Sequence, residues 1–143
     1  MKRARDETTK KLVGEELNDA IKNVVLNGNV SGLRELLETY DDVTERKIDS
    51  DSIIGWKALH LAAHDGRVDV AKLLIQYGAN VNAVDHFGSS VLYYASCYSE
   101  SVPLTLELLC FGAKIDKKAL QHDRTRLLVQ IEERLEKLRN GER

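Results

Sequence analysis

His60 and His64 lie four residues apart in "HLAAH", the spacing at which two imidazoles on one helical face could hold a zinc ion. The stretch lacks the glutamate that acts as general base in a zincin helix, and no third ligand is evident. No metal or other cofactor is expected. Cys97 and Cys110 sit inside apolar helical patterns rather than a disulfide framework, so they read as buried or half-buried thiols. Ser89 and Ser90 occur in "FGSSVL", the context of a helix cap and not of a nucleophile elbow. No phosphate-binding loop, dinucleotide fingerprint or Ser/His/Asp set accompanies them. None of these motifs supports catalysis, and no enzymatic activity is expected.

The elements that must position them come back at a fixed interval. Gly55, Leu59 and Ala62 recur as Gly88, Leu92 and Ala95, and Leu74, Ile75, Gly78 and Ala79 recur as Leu108, Leu109, Gly112 and Ala113. The first set repeats after 33 residues and the second after 34. A period of that size marks stacked supersecondary units. Within one unit, Ala58 to His64 is apolar on several sides, as a short helix packed closely by others must be. Gly66 is placed to close it in the left-handed conformation that costs glycine little. Val68 to Tyr77 follows with an apolar stripe of Val70, Ala71, Leu73, Leu74 and Ile75, a second helix that Gly78 stops. "ANVNAVDHFG" supplies the Asn, Asp and Gly of a projecting turn.

Composition sets the outer bounds. The 143 residues are 43% hydrophobic and 31% charged, enough for one domain or a short repeat array. No apolar run approaches the roughly 18 residues that cross a bilayer, so membrane insertion is not expected. The N-terminus lacks the apolar core of a secretory signal, which favours an intracellular, cytoplasmic location. Residues 12–116 carry sixteen acids against eight Lys and Arg, whereas 1–11 and 117–143 are each basic by three charges. An acidic body repels phosphates, so nucleic acid is not an expected partner. The basic start "MKRAR" reads as a solvated tail, with nuclear import or attraction to an anionic surface as the alternatives.

The segment Gly55 to Ala83 resembles an ankyrin repeat, whose pattern is approximately D-x-x-G-x-T-P-L-H-x-A-A, then G, a leucine-rich second helix, and G-A-x-V-N. It matches at Gly55, Leu59, His60, Leu61, Ala62, Ala63, Gly66, Val70, Leu74, Ile75, Gly78, Ala79, Val81 and Asn82, and Asp85 and Gly88 open another unit. The resemblance implies an all-α solenoid of helix-turn-helix units with projecting tips. It also makes His60 a structural residue that braces neighbouring loops. Departures are informative. The family's Thr-Pro is Lys57-Ala58 in one unit and Ser90-Val91 in the next, so Ser90 can cap its helix and Lys57 cannot. Tyr93 stands where the family has His. "CYSESVP" replaces the mid-repeat glycine with one extra residue, so the turn there should be irregular.

About four units are expected: a cap-like repeat at 15–44 after a tail at 1–14, clear repeats at 52–84 and 85–116, and a cap-like repeat at 117–141. The first aligns at an offset of 38, pairing Ile21 with Leu59, Gly28 with Gly66 and Leu36 with Leu74. The last offers a brief helix near Ala119–Gln121 and a longer one over 126–139, with Thr125 as cap and Gly141 as stop. Its Leu128, Ile131, Leu135 and Leu138 form a stripe that either packs on the preceding repeat or makes a homodimer seam.

Carried over position by position, the resemblance implies a protein partner, held by a non-catalytic adaptor or inhibitor that is expected to be monomeric. The alternative is a self-assembling structural protein that dimerises through the amphipathic helix over 126–139. The tip positions are Ile53, Ile54, Trp56, His86, Phe87 and Ser89, and the first-helix positions are His64, Asp65, Cys97 and Tyr98. Trp56 and Phe87 are expected at exposed tips as interface anchors. The alternative for Trp56 is that it folds back over Ile53 or Ile54.

Overall fold

A computed structural model of the chain describes residues 12–48, 54–99, 101–115 and 125–141, without the side chains of 125–130 and 132. Ile53, most of the basic tail and the brief helix near Ala119–Gln121 lie outside the described residues.

Seven helices and no strand occur among them, as the repeat period implies. They are α1 (Gly14–Leu26), α2 (Val30–Thr39), α3 (Ala58–His64), α4 (Val68–Gln76), α5 (Val91–Tyr93, continuing as a π-helical turn over Tyr94–Tyr98), α6 (Val102–Cys110) and α7 (Thr125–Arg139). The first six form three antiparallel pairs. One continuous core runs through the stack: Ile21 and Leu33 from the first pair, Leu59 and Leu74 from the second, Leu92 and Leu108 from the third, all fully buried. Each is an apolar position of the 3.6-residue stripe, so the periodicity is the packing. Leu36 is only partly buried where its counterpart Leu74 is fully buried, because among the described residues the first pair has a neighbouring pair on one side alone.

The turns obey the chemistry of their residues. Gly28 and Gly66 hold φ of 67° and 70° and close the first helices of successive units in the same conformation. Ser90 Oγ accepts from Tyr93 N–H at 3.0 Å, and Lys57 supplies no side-chain cap. Ser101 caps α6 at 3.2 Å with Pro103 in its first turn. The extra residue before α6 does not bulge outward. It is absorbed as the π-helical turn, in which Ser99 N–H reaches back five residues to the Tyr94 carbonyl at 3.1 Å.

Neighbouring tips are stitched by backbone and side chain. His86 N–H donates to the Ile54 carbonyl at 2.7 Å, and Asn82 Oδ1 accepts from Lys114 N–H at 2.8 Å. Gly55 must be glycine twice over: its φ is +76°, and a Cβ there would meet the His86 ring at 2.6 Å. Ile131 and Leu135 of α7 pack against the core, while Leu138 is 53% exposed. Gly141 ends α7 with φ of 77°. Cys97 is half-buried as expected; Cys110, in contrast, is exposed, because the last residue of α6 falls on its outer face.

Candidate functional site: an aromatic seam on the first-helix face

Asp85 is the centre of the site. Its side chain is 4% exposed and accepts from four donors. Oδ1 takes the N–H groups of Phe87 and Ser89, both at 2.9 Å, which folds the tip into a tight turn. Oδ2 takes Trp56 Nε1–H at 3.2 Å and the Tyr94 hydroxyl. Burial pushes the carboxyl upward, but the bonds from Tyr94, Ser89, Phe87 and Trp56 together outweigh it and hold the group below its ordinary value. The reciprocal effect raises Tyr94 to about 12, through burial first and the bond to Asp85 second.

Around this carboxylate five rings join two repeats. Trp56 lies 5.1 Å from His64 and 5.0 Å from Tyr94. Tyr98 lies 5.4 Å from His64, 5.4 Å from Tyr94 and 5.7 Å from Tyr93. Trp56 precedes α3 and His64 ends it, yet their rings meet, because helical side chains lean towards the N-terminus. These tilted and edge-on arrangements suit the ring quadrupoles. Tyr98 is 55% exposed and His64 is exposed, so the seam opens to solvent at its outer end.

This geometry corrects two expectations at the tips. Trp56 is not a free-standing anchor. It is half-buried between repeats, its indole N–H shared by Asp85 Oδ2 and the Tyr94 hydroxyl oxygen at 3.1 Å. The self-packing alternative named Ile53 or Ile54 as the surface it covers; Ile53 lies outside the described residues, and the indole's bonding partners Asp85 and Tyr94 belong to the next repeat. Ser89 is likewise withdrawn, 2% exposed, since Asp85 holds its N–H inside the turn.

The remaining positions divide by location. Phe87 is 64% exposed at the tip, and His86 is exposed beside it, its Nε2 within 3.1 Å of Lys47 Nζ. Ile54 is half-buried and contributes its carbonyl to the tip bond. Asp65 is exposed but pairs with Arg67 at 3.0 Å. Cys97 lies half-buried beside Tyr98 in the π turn. The structure therefore brings His64, Tyr98 and Trp56 into one surface and leaves Phe87 and His86 at the tip. Asp85, Tyr93 and Tyr94 are the members that the sequence reading did not place in the site. The available signal was the crowding of three of the five tyrosines into residues 93–98.

His60 is fully buried and plays the bracing part the resemblance implied. Nδ1 accepts Lys57 N–H at 3.1 Å, which puts the ring proton on Nε2, and Nε2 donates to the Ala83 carbonyl at 3.2 Å. Among the described residues no cluster of three His, Cys, Asp or Glu is arranged to hold a metal ion. Nor is any helix there long and apolar enough to cross a membrane.

A family model described as Ankyrin repeats (3 copies) matches residues 6–119. Ankyrin repeat and SOCS box protein 3 of Bos taurus is 43% identical over 49 residues, covering 34% of this chain and 9% of that protein. Protein phosphatase 1 regulatory subunit 27 of Homo sapiens is 33% identical over 69 residues, covering 48% of this chain and 42% of that one. The crystal structure of the human ASB11 ankyrin repeat domain matches with a TM-score of 0.57 and 32% identity, over 66% of this chain and 40% of that chain. The chain spans less than half the length of each. Repeats of this kind form protein–protein interaction modules and are typically non-catalytic. With the repeat period, the paired helices and the braced tips all agreeing, the chain belongs to the ankyrin repeat family.

Proposed function

We propose that the chain is a non-catalytic adaptor or inhibitor that holds one partner protein against its first-helix face and tips, using a repeat domain bounded by residues 15–141. The observation that carries this reading is the exposure of Tyr98 and Phe87, at 55% and 64%, beside the seam of rings. Aromatic side chains at accessible, partly pre-packed positions are the usual anchors of interfaces. The neighbouring rings hold Tyr98 in place, so little side-chain freedom is lost on binding. The free thiols Cys97 and Cys110 suit a reducing intracellular compartment. The packing of Ile131 and Leu135 against the core, each partly buried, favours a monomer over a dimer built on α7.

Capture of partners from native cell extract, compared between wild type, Tyr98→Ala and Phe87→Ala, tests the reading. Each variant is expected to weaken capture at least about tenfold, the cost of losing an interface aromatic. Both should melt close to wild type. Unchanged capture by both variants would move the recognition surface elsewhere on the stack.

A further inference from the structure

Resting on that reading of the first-helix face, we propose that its occupant is a basic segment of the partner protein, with a Lys or Arg side chain laid against the Tyr98 ring. The rings of His64, Tyr93 and Tyr94 crowd Tyr98 at 5.4 to 5.7 Å and leave it 55% exposed. A cation near an aromatic face is drawn to the negative side of the ring quadrupole, and a guanidinium also stacks on it.

Two further terms favour a cation there. The first is local. The Asp85 carboxylate sits one ring away, bonded to the Tyr94 hydroxyl and buried from solvent. Salt screens a buried charge far less than an exposed one, so its field persists at the surface. The second is distributed: residues 12–116 carry sixteen acids and eight bases. Lys57 and Arg67, the basic residues flanking α3, are engaged with Glu45 at 3.2 Å and Asp65 at 3.0 Å. An acidic segment would be repelled by this body, and an aliphatic one would gain nothing from the carboxylate. A basic segment gains from both terms.

The test uses the full chain and synthetic peptides of alternating Gly with Arg, with Glu or with Leu. Binding is read by calorimetry and by the fluorescence of Trp56, the single tryptophan, which touches the same rings. The Arg peptide is expected to bind saturably and to weaken several-fold as salt is raised from about 50 to 300 mM. Its affinity should fall at least about fivefold in Tyr98→Ala and in Tyr98→Leu, which keeps apolar bulk without a ring, and persist in Tyr98→Phe. Equal binding of the Glu or Leu peptide overturns the proposal. So does Arg-peptide binding that ignores Tyr98, since that is diffuse attraction to the acidic body, or the lack of saturable binding. Partner capture that depends on Tyr98 while the Arg peptide does not bind overturns the basic occupant and leaves the surface reading standing.

Discussion

Asp85 shows how one side chain can fold a tip and join two repeats. Its two oxygens divide the work, one closing the turn through Phe87 and Ser89, the other receiving Trp56 and Tyr94. Asp85→Asn keeps an acceptor for one pair and turns an amide donor towards the other. That change should cost about 1–3 kcal/mol at pH 7, the price of an unsatisfied buried donor. The pH dependence has a definite sign. The carboxyl is held below its unfolded value of about 4. Its contribution is therefore fully present above that pH and is lost as pH falls through the lower folded value. Urea melts of both proteins should show a gap that is constant near neutrality and narrows below about pH 4. A gap independent of pH would mean that the charge on Asp85 does not matter to folding. Tyr94 behaves oppositely: raised to about 12, its contribution is complete below about pH 10 and lost above it.

The helices of successive units make the same turn with different caps, and the differences can be measured. The third unit starts α5 on Ser90, which accepts Tyr93 N–H at 3.0 Å, while the second starts α3 on Lys57, whose side chain offers no acceptor. The sequence shows this directly, since a hydroxyl either stands before the helix or does not. Lys57→Thr should stabilise the protein by about 0.5–1 kcal/mol, a typical capping gain reduced by the loss of the Glu45 contact. A lower denaturation midpoint in that variant would show that the ion pair outweighs the cap. The π-helical turn was legible only in outline. One extra residue in "CYSESVP" required an irregularity, but a wide turn inside the first helix and a longer loop after it fit the same count. Packing chose the former, because it keeps Ala95 and Leu104 buried on either side.

In a solenoid each unit is stabilised mainly through its neighbours, so a residue at a seam counts more than its own exposure implies. Trp56 belongs to the unit before the seam, and its bonding partners Asp85 and Tyr94 to the unit after it. Trp56→Ala removes the ring and leaves the carboxylate one donor short. The expected cost is about 2–4 kcal/mol, from lost burial and the orphaned partner together. Thermal melting followed by circular dichroism reads it. A midpoint within a degree or two of wild type would show that the seam is held without the indole. Tyr98→Ala, at the open end of the same cluster, should by contrast leave the midpoint nearly unchanged.

The sequence by itself determined the repeat unit, its helices and their stops. Those features depend on local spacing: apolar residues at a 3.6-residue period, glycines where φ must be positive, hydroxyls at caps, and an interval of 33 to 34 residues. It also identified His60 as a brace, because the resemblance placed it in register. The direction of Trp56 was beyond its reach. A tryptophan two residues before a helix can turn outward to solvent or inward to a seam, and the choice depends on an acceptor 29 residues away. Asp85 and Tyr94 escaped for the same reason. Each is an ordinary turn or helix residue in its own unit, and they become one site with Trp56 only when the stack sets the units side by side.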